Sequence, residues 1–103
     1  MKRGEIRWYK FKAPDKKRPV LILTRDSVIE YLGEITIAPV TSTIRNIPSE
    51  VFLSRDDGMT KDCAINFDHI QTVSKSRIGP LITRLSIRKL EQVKKTIQFA
   101  LGL

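Results

Sequence analysis

A chain of 103 residues, 41% of them hydrophobic, is expected to form a single domain (residues 1–103) with its own core, needing no disulfide or structural metal. Nineteen Lys and Arg against eleven Asp and Glu leave a net charge of +8, a field that gathers polyanions and makes nucleic acid the leading partner class. No apolar run approaches the ~20 residues of a bilayer span, no signal-peptide core follows Met1, and the lone Cys63 has no internal partner; no membrane association and a cytoplasmic, reducing location are expected.

In chain order, residues 5–11 read as a first strand, because Ile6, Trp8, Tyr9 and Phe11 favour extended backbone and polar residues interleave them. Residues 12–17, with Pro14 and a charge cluster, read as an exposed loop. The run Arg18-Pro-Val-Leu-Ile-Leu-Thr-Arg25 has the consecutive apolar residues of a strand buried on both faces, and Pro19, lacking an N–H, belongs at its start. Asp26-Ser27 is expected to cap a short helical turn reaching Tyr31, and residues 34–40 form the next strand. Residues 41–48 form a polar loop closed by Pro48. Residues 50–53 form a short strand, and Asp56-Asp57-Gly58 a turn.

Residues 63–67 and 70–73 read as two short strands joined by a kink at Asp68-His69, and Gly79-Pro80 as a break before a strand over 81–85. The C-terminus is helical, with Ser86 as N-cap and Ile87, Leu90, Val93, Ile97 and Leu101 on one stripe. Arg88, Lys94 and Lys95 fall on the opposite face. Short strands followed by one amphipathic helix predict a mostly β fold, a small curled sheet or barrel closed by that helix.

Familiar catalytic kits are absent. One His and one Cys cannot supply a zinc site. Asp56, Asp57 and Asp62 lack calcium-loop spacing, the glycines make no phosphate loop, and no G-x-S-x-G elbow occurs. Two strand ends remain: Arg18, where the basic Lys16-Lys17 loop enters a buried strand, and Thr41, where another strand runs into a polar loop. From the residues alone, a solvated strand-edge cation and an ordinary loop hydroxyl stand beside the catalytic reading. Cys63 reads as a buried small hydrophobe. Trp8 reads as core or dimer interface, with base stacking as the lesser alternative.

Gly4-Glu-Ile-Arg-Trp8, then Arg18-Pro-Val-Leu-Ile-Leu-Thr-Arg-Asp26, Ile35-Thr-Ile-Ala-Pro-Val-Thr-Ser42 and Asp62-Cys-Ala-Ile-Asn-Phe-Asp-His-Ile-Gln-Thr-Val73 together resemble the MazF/PemK family of bacterial toxins, in order and at the family's spacing. The resemblance implies an SH3-like small barrel with a C-terminal helix, usually a homodimer, held in check by a cognate antitoxin. It implies sequence-selective, metal-independent cleavage of single-stranded RNA without a cofactor, by attack of the 2′-hydroxyl to leave a 2′,3′-cyclic phosphate and a 5′-hydroxyl. The family's essential arginine falls on Arg18 and its essential Thr or Ser on Thr41. Lys16, Lys17, Ser42 and His69 are the expected RNA contacts. Relatives commonly place a non-titrating amide where His69 stands, so base contact leads there over a surface histidine or a catalytic imidazole. The first loop is shorter than in many relatives and lacks their Gly-rich stretch. The rival readings are a non-catalytic RNA- or protein-binding module and a gyrase-poisoning toxin of the same fold.

Overall fold

A computed structural model of the chain describes residues 1–11 and 16–103; the first loop's residues 12–15 lie outside the described residues. The elements are β1 (Glu5–Lys10), β2 (Lys17–Ile22), α1 (Asp26–Ile29), β3 (Glu34–Thr41), β4 (Glu50–Leu53), β5 (Cys63–Asn66), β6 (Gln71–Ser74), β7 (Ile78–Arg84) and α2 (Ile87–Leu101), with 3₁₀ turns at Arg55–Asp57, Phe67–His69 and Lys75–Arg77. The strands run β4-β5-β3-β2-β1-β7, and every pairing is antiparallel. Along its free edge β3 meets β6 first and β5 second: Ile37 pairs with Gln71, whereas Val40 pairs with Ile65. The Phe67–His69 turn therefore carries the chain past the middle of β3. This switch of partners curves the sheet, giving the expected mostly β curled sheet.

The apolar run in β2 serves both faces of that sheet. Leu21 joins Ile6, Val40, Val51, Leu53, Ile65 and Phe67 in one core, while Val20 and Ile22 join Tyr9, Ile29, Ile35, Ile37 and Val73 in another. Each fully buried aliphatic side chain there contributes about 1.5–3 kcal/mol. Helix α2 closes the first core, lying against β4 and the Phe67–His69 turn. As expected, Ser86 caps it, its Oγ accepting from Lys89 N at 3.1 Å. The stripe is shorter than expected, because its two end residues do not reach the core. Val93 is buried with Leu90 and Ile97 packed beside it, but Ile87 and Leu101, at the two ends, are 83% and 56% exposed.

Two further expectations are corrected. Helix α1 has no side-chain cap, since Asp26 Oδ1 accepts instead from Arg3 N at 2.7 Å. Gly79 and Pro80 lie within β7 rather than breaking the chain before it. β7 is an edge strand, so a missing N–H is tolerated, and its pairing with β1 shifts register twice across this stretch. Arg7 Nη1 bridges the irregularity by donating to Gly79 O at 3.0 Å.

The Arg55–Asp57 turn is tied on three sides. Ser54 Oγ accepts from Asp56 N, Asp57 Oδ2 accepts from Ser54 N, and Thr83 Oγ1 donates to Asp57 O at 2.9 Å. From α2, Lys89 Nζ approaches Asp57 Oδ1 at 3.7 Å and donates to Phe52 O at 3.2 Å. Gly58 then leaves the turn at φ 92°, and a Cβ there would collide with the Thr83 side chain. Gly58→Ala is expected to destabilise the protein by about 1–3 kcal/mol. Calorimetry would read this as a lower midpoint, and an unchanged midpoint would contradict the packing described.

Candidate active site

The far ends of β2 and β3 converge. Val20, Leu21 and Ile22 pair with Pro39, Ala38 and Ile37, and beyond these pairs lie Arg18 near the start of β2 and Thr41 at the end of β3. Neither Pro19 nor Pro39 has an N–H to donate, so the ladder thins here and the strand ends open. Both Arg18 and Thr41 line a cleft of about 280 Å³, together with Lys17 and Ser42. Arg18 is exposed, and none of the ion pairs among the described residues involves it. Its planar fork suits an anion such as a phosphate. Thr41 is half-buried, and its Oγ1 accepts from Thr43 N at 3.1 Å. The hydroxyl hydrogen is left free to donate to a bound group.

The opposite wall comes from the segment that follows Gly58: Met59, Thr60 and Lys61. Among the described residues, Lys17, Arg18 and Lys61 are the charged side chains in the lining, three cations and no carboxylate. The floor is apolar, from Pro19, Val40, Cys63 and Ile82. Cys63 is buried, as expected, and its thiol is pushed up by burial, then by the charges of Asp62 and Asp57, which keeps it protonated. Trp8 also lines the cleft, 38% exposed and part of neither apolar core, so of the two expected places, core or dimer interface, the core does not hold it.

Four of the six expected site residues thus come together. Lys16 and His69 do not line the cleft. Lys16 is exposed one residue before β2, its carbonyl accepting from Phe11 N at 3.3 Å. His69 is exposed at the end of the Phe67–His69 turn, on the outer edge of β3. That turn is held by Asn66 Oδ1, which accepts from Asp68 N at 2.9 Å, and by Ser49 Oγ, which donates to Asp68 Oδ2 at 2.7 Å. Lys61 and Met59 were not singled out from the sequence. The only signal for them is a cation closely following a glycine turn, and nothing in its spacing connects it to Arg18.

Residues 2–101 match the family of PemK-like, MazF-like toxins of type II toxin–antitoxin systems. The chain belongs to the MazF/PemK-like toxin family. It is 36% identical over 103 residues to the probable endoribonuclease MazF2 of Mycobacterium tuberculosis, covering 99% of each chain. Among solved structures, the M. tuberculosis toxin MazF-mt6 superposes with a TM-score of 0.88 at 31% identity, over 96% of this chain and 97% of that one. A mycobacterial endoribonuclease in complex with its cognate antitoxin reaches the same TM-score at 22% identity, over 100% of this chain and 96% of that one, a likeness of fold. The mostly β fold with a C-terminal helix is thus the fold of MazF toxins.

Proposed function

We propose that this MazF-like protein is the toxin of a toxin–antitoxin pair and cuts single-stranded RNA in the cytoplasm, without a metal, in the Arg18–Thr41 cleft. The observation that carries the reading is the meeting of Arg18 and Thr41 at facing strand ends in one cleft with three cations. The names of its relatives support it: the M. tuberculosis protein is a probable endoribonuclease, and an endoribonuclease of the same fold was solved with its antitoxin.

In the reaction, the ribose 2′-oxygen bonds to the adjacent phosphorus and the bond to the 5′-oxygen breaks. The 2′-hydroxyl proton leaves to solvent and the 5′-oxygen gains one, giving a 2′,3′-cyclic phosphate and a 5′-hydroxyl. Among the described residues no imidazole or carboxylate lines the cleft, and the groups that do line it act by alignment and by stabilising the charge on the phosphorane. Arg18 clamps the phosphate oxygens bidentately, and Thr41 donates to an oxygen of the same group. Among the described residues the lining offers cations and no carboxylate, a donor set that does not suit a divalent ion and supports metal independence. DNA lacks the attacking hydroxyl and is spared.

Purified protein in EDTA is expected to cleave single-stranded RNA and leave the matching DNA intact; RNA that stays bound but uncut would leave only a binding module. Lys16, Lys17, Ser42 and His69 are proposed to hold the strand on either side of the cut. A Lys16→Ala/Lys17→Ala double variant should bind RNA more weakly, with a salt dependence shallower by about two charges. An unchanged slope would remove both lysines from the path of the strand. The partners we propose are a second copy of the chain and an antitoxin whose acidic, disordered segment lies over the basic cleft.

A further inference from the structure

We infer that Trp8 is the platform on which the cleft stacks the base of the nucleotide whose phosphate Arg18 holds, an inference that rests on the RNA reading proposed above. Three observations lead there. Trp8 is 38% exposed although its strand neighbours Ile6 and Tyr9 are buried, so a large apolar ring is held at the surface where the cleft opens. Trp8 pairs with Pro19, the residue next to Arg18. A strand spacing of about 4.8 Å and a rise of about 3.3 Å put the two Cα atoms about 6 Å apart, within the span of one nucleotide. Met59 and Ile82, apolar, and Lys61, cationic, line the same cleft. An indole sharing a cleft with aliphatic, thioether and cationic groups is the chemistry of a single-strand site, because every base has a π-face and every base is flanked by phosphates.

The platform is held from behind. Glu5 is buried and accepts from Arg7 Nε at 2.8 Å, and Arg7 reaches on to Gly79 O, so the β1–β7 seam behind Trp8 is braced by charge rather than by packing alone. A tryptophan needed only to fill the core would sit among the core side chains, and Trp8 does not.

Trp8 is the only tryptophan in the chain, so its emission reports this position alone. The test titrates the protein with a single-stranded RNA oligonucleotide that is 2′-O-methylated throughout, which cannot cleave itself, and with an abasic strand of the same length. Binding is followed by anisotropy and stacking by quenching. The expected result is strong quenching by the base-bearing strand and little by the abasic one. Trp8→Phe should bind within a few-fold of wild type, whereas Trp8→Leu should lose roughly 5- to 150-fold, the usual worth of one stacked base. Emission unchanged at saturating oligonucleotide overturns the inference, and so does a Trp8→Leu variant that binds as tightly as wild type. The wild-type emission needs no variant to fold. Quenching without cleavage of unmodified RNA would support the platform and sink the nuclease; cleavage that depends on Arg18 without quenching would do the reverse.

Discussion

Replacing Arg18 by Ala is expected to slow cleavage of single-stranded RNA by about 10²–10³-fold, the usual effect of removing one preorganised stabiliser of transition-state charge. The fold should survive, because Arg18 lies exposed near the start of β2 and joins none of the ion pairs among the described residues. The loss should fall mainly on the chemical step, since Lys17 and Lys61 still draw RNA into the cleft. Arg18→Lys keeps the charge but loses the planar fork, and should recover only part of the rate. Thr41→Ala should cost about 10²-fold as well, and Thr41→Ser should retain most activity because the donor hydroxyl remains. Single-turnover cleavage, with circular dichroism as the check on folding, measures all four variants. Normal rates in the two alanine variants would put the scissile phosphate elsewhere.

Glu5 carries the largest stability effect. It is only 2% exposed, and accepts from Lys2 N at 2.9 Å, Arg7 Nε at 2.8 Å and Arg84 Nε at 3.1 Å. Burial alone would raise its pKa, but the hydrogen bonds from Arg7, Lys2 N and Arg84 outweigh it and hold the carboxyl at about 2 rather than 4.5. A depressed carboxyl contributes stability above its unfolded value, and that contribution is lost as the pH falls through the folded value. It amounts to about 3 kcal/mol near neutral pH, disappearing between about pH 5 and pH 2. Glu5→Gln is therefore expected to destabilise the protein by about 3 kcal/mol, since it leaves two guanidinium groups facing a neutral amide. Thermal midpoints should fall by roughly 10–20 °C at pH 7. The gap between variant and wild type should close as the pH approaches 2, and a gap independent of pH would show that the charge contributes nothing.

Glu5 differs from Arg18 and Thr41 in what marks it in the sequence. Glu5 in its strand looks like any alternating polar position; its burial follows from the pairing of β1 with β7, which brings Arg84 to it from the far end of the chain. Arg18 and Thr41 are marked by strand ends and, through the family resemblance, by motif, but their encounter depends on the β2–β3 register. Lys16, adjacent to Lys17 in sequence, stays outside the cleft, and His69 is held on the outer edge of β3 by the turn that carries it.

By itself, the sequence determined what depends on near neighbours. The apolar run of β2 served both faces, Ser86 capped α2, and Gly58 took the left-handed turn, because propensity, periodicity and turn chemistry act over a few residues. Tertiary structure alone decided that Gly79 and Pro80 would be carried in an edge strand and that Ile87 and Leu101 would overhang the sheet. It also brought Trp8, Arg18, Thr41 and Lys61 around one cleft. Those four come from separate parts of the chain, and only the registers of β1, β2, β3 and β5, set by the burial of two cores, bring them to the same place.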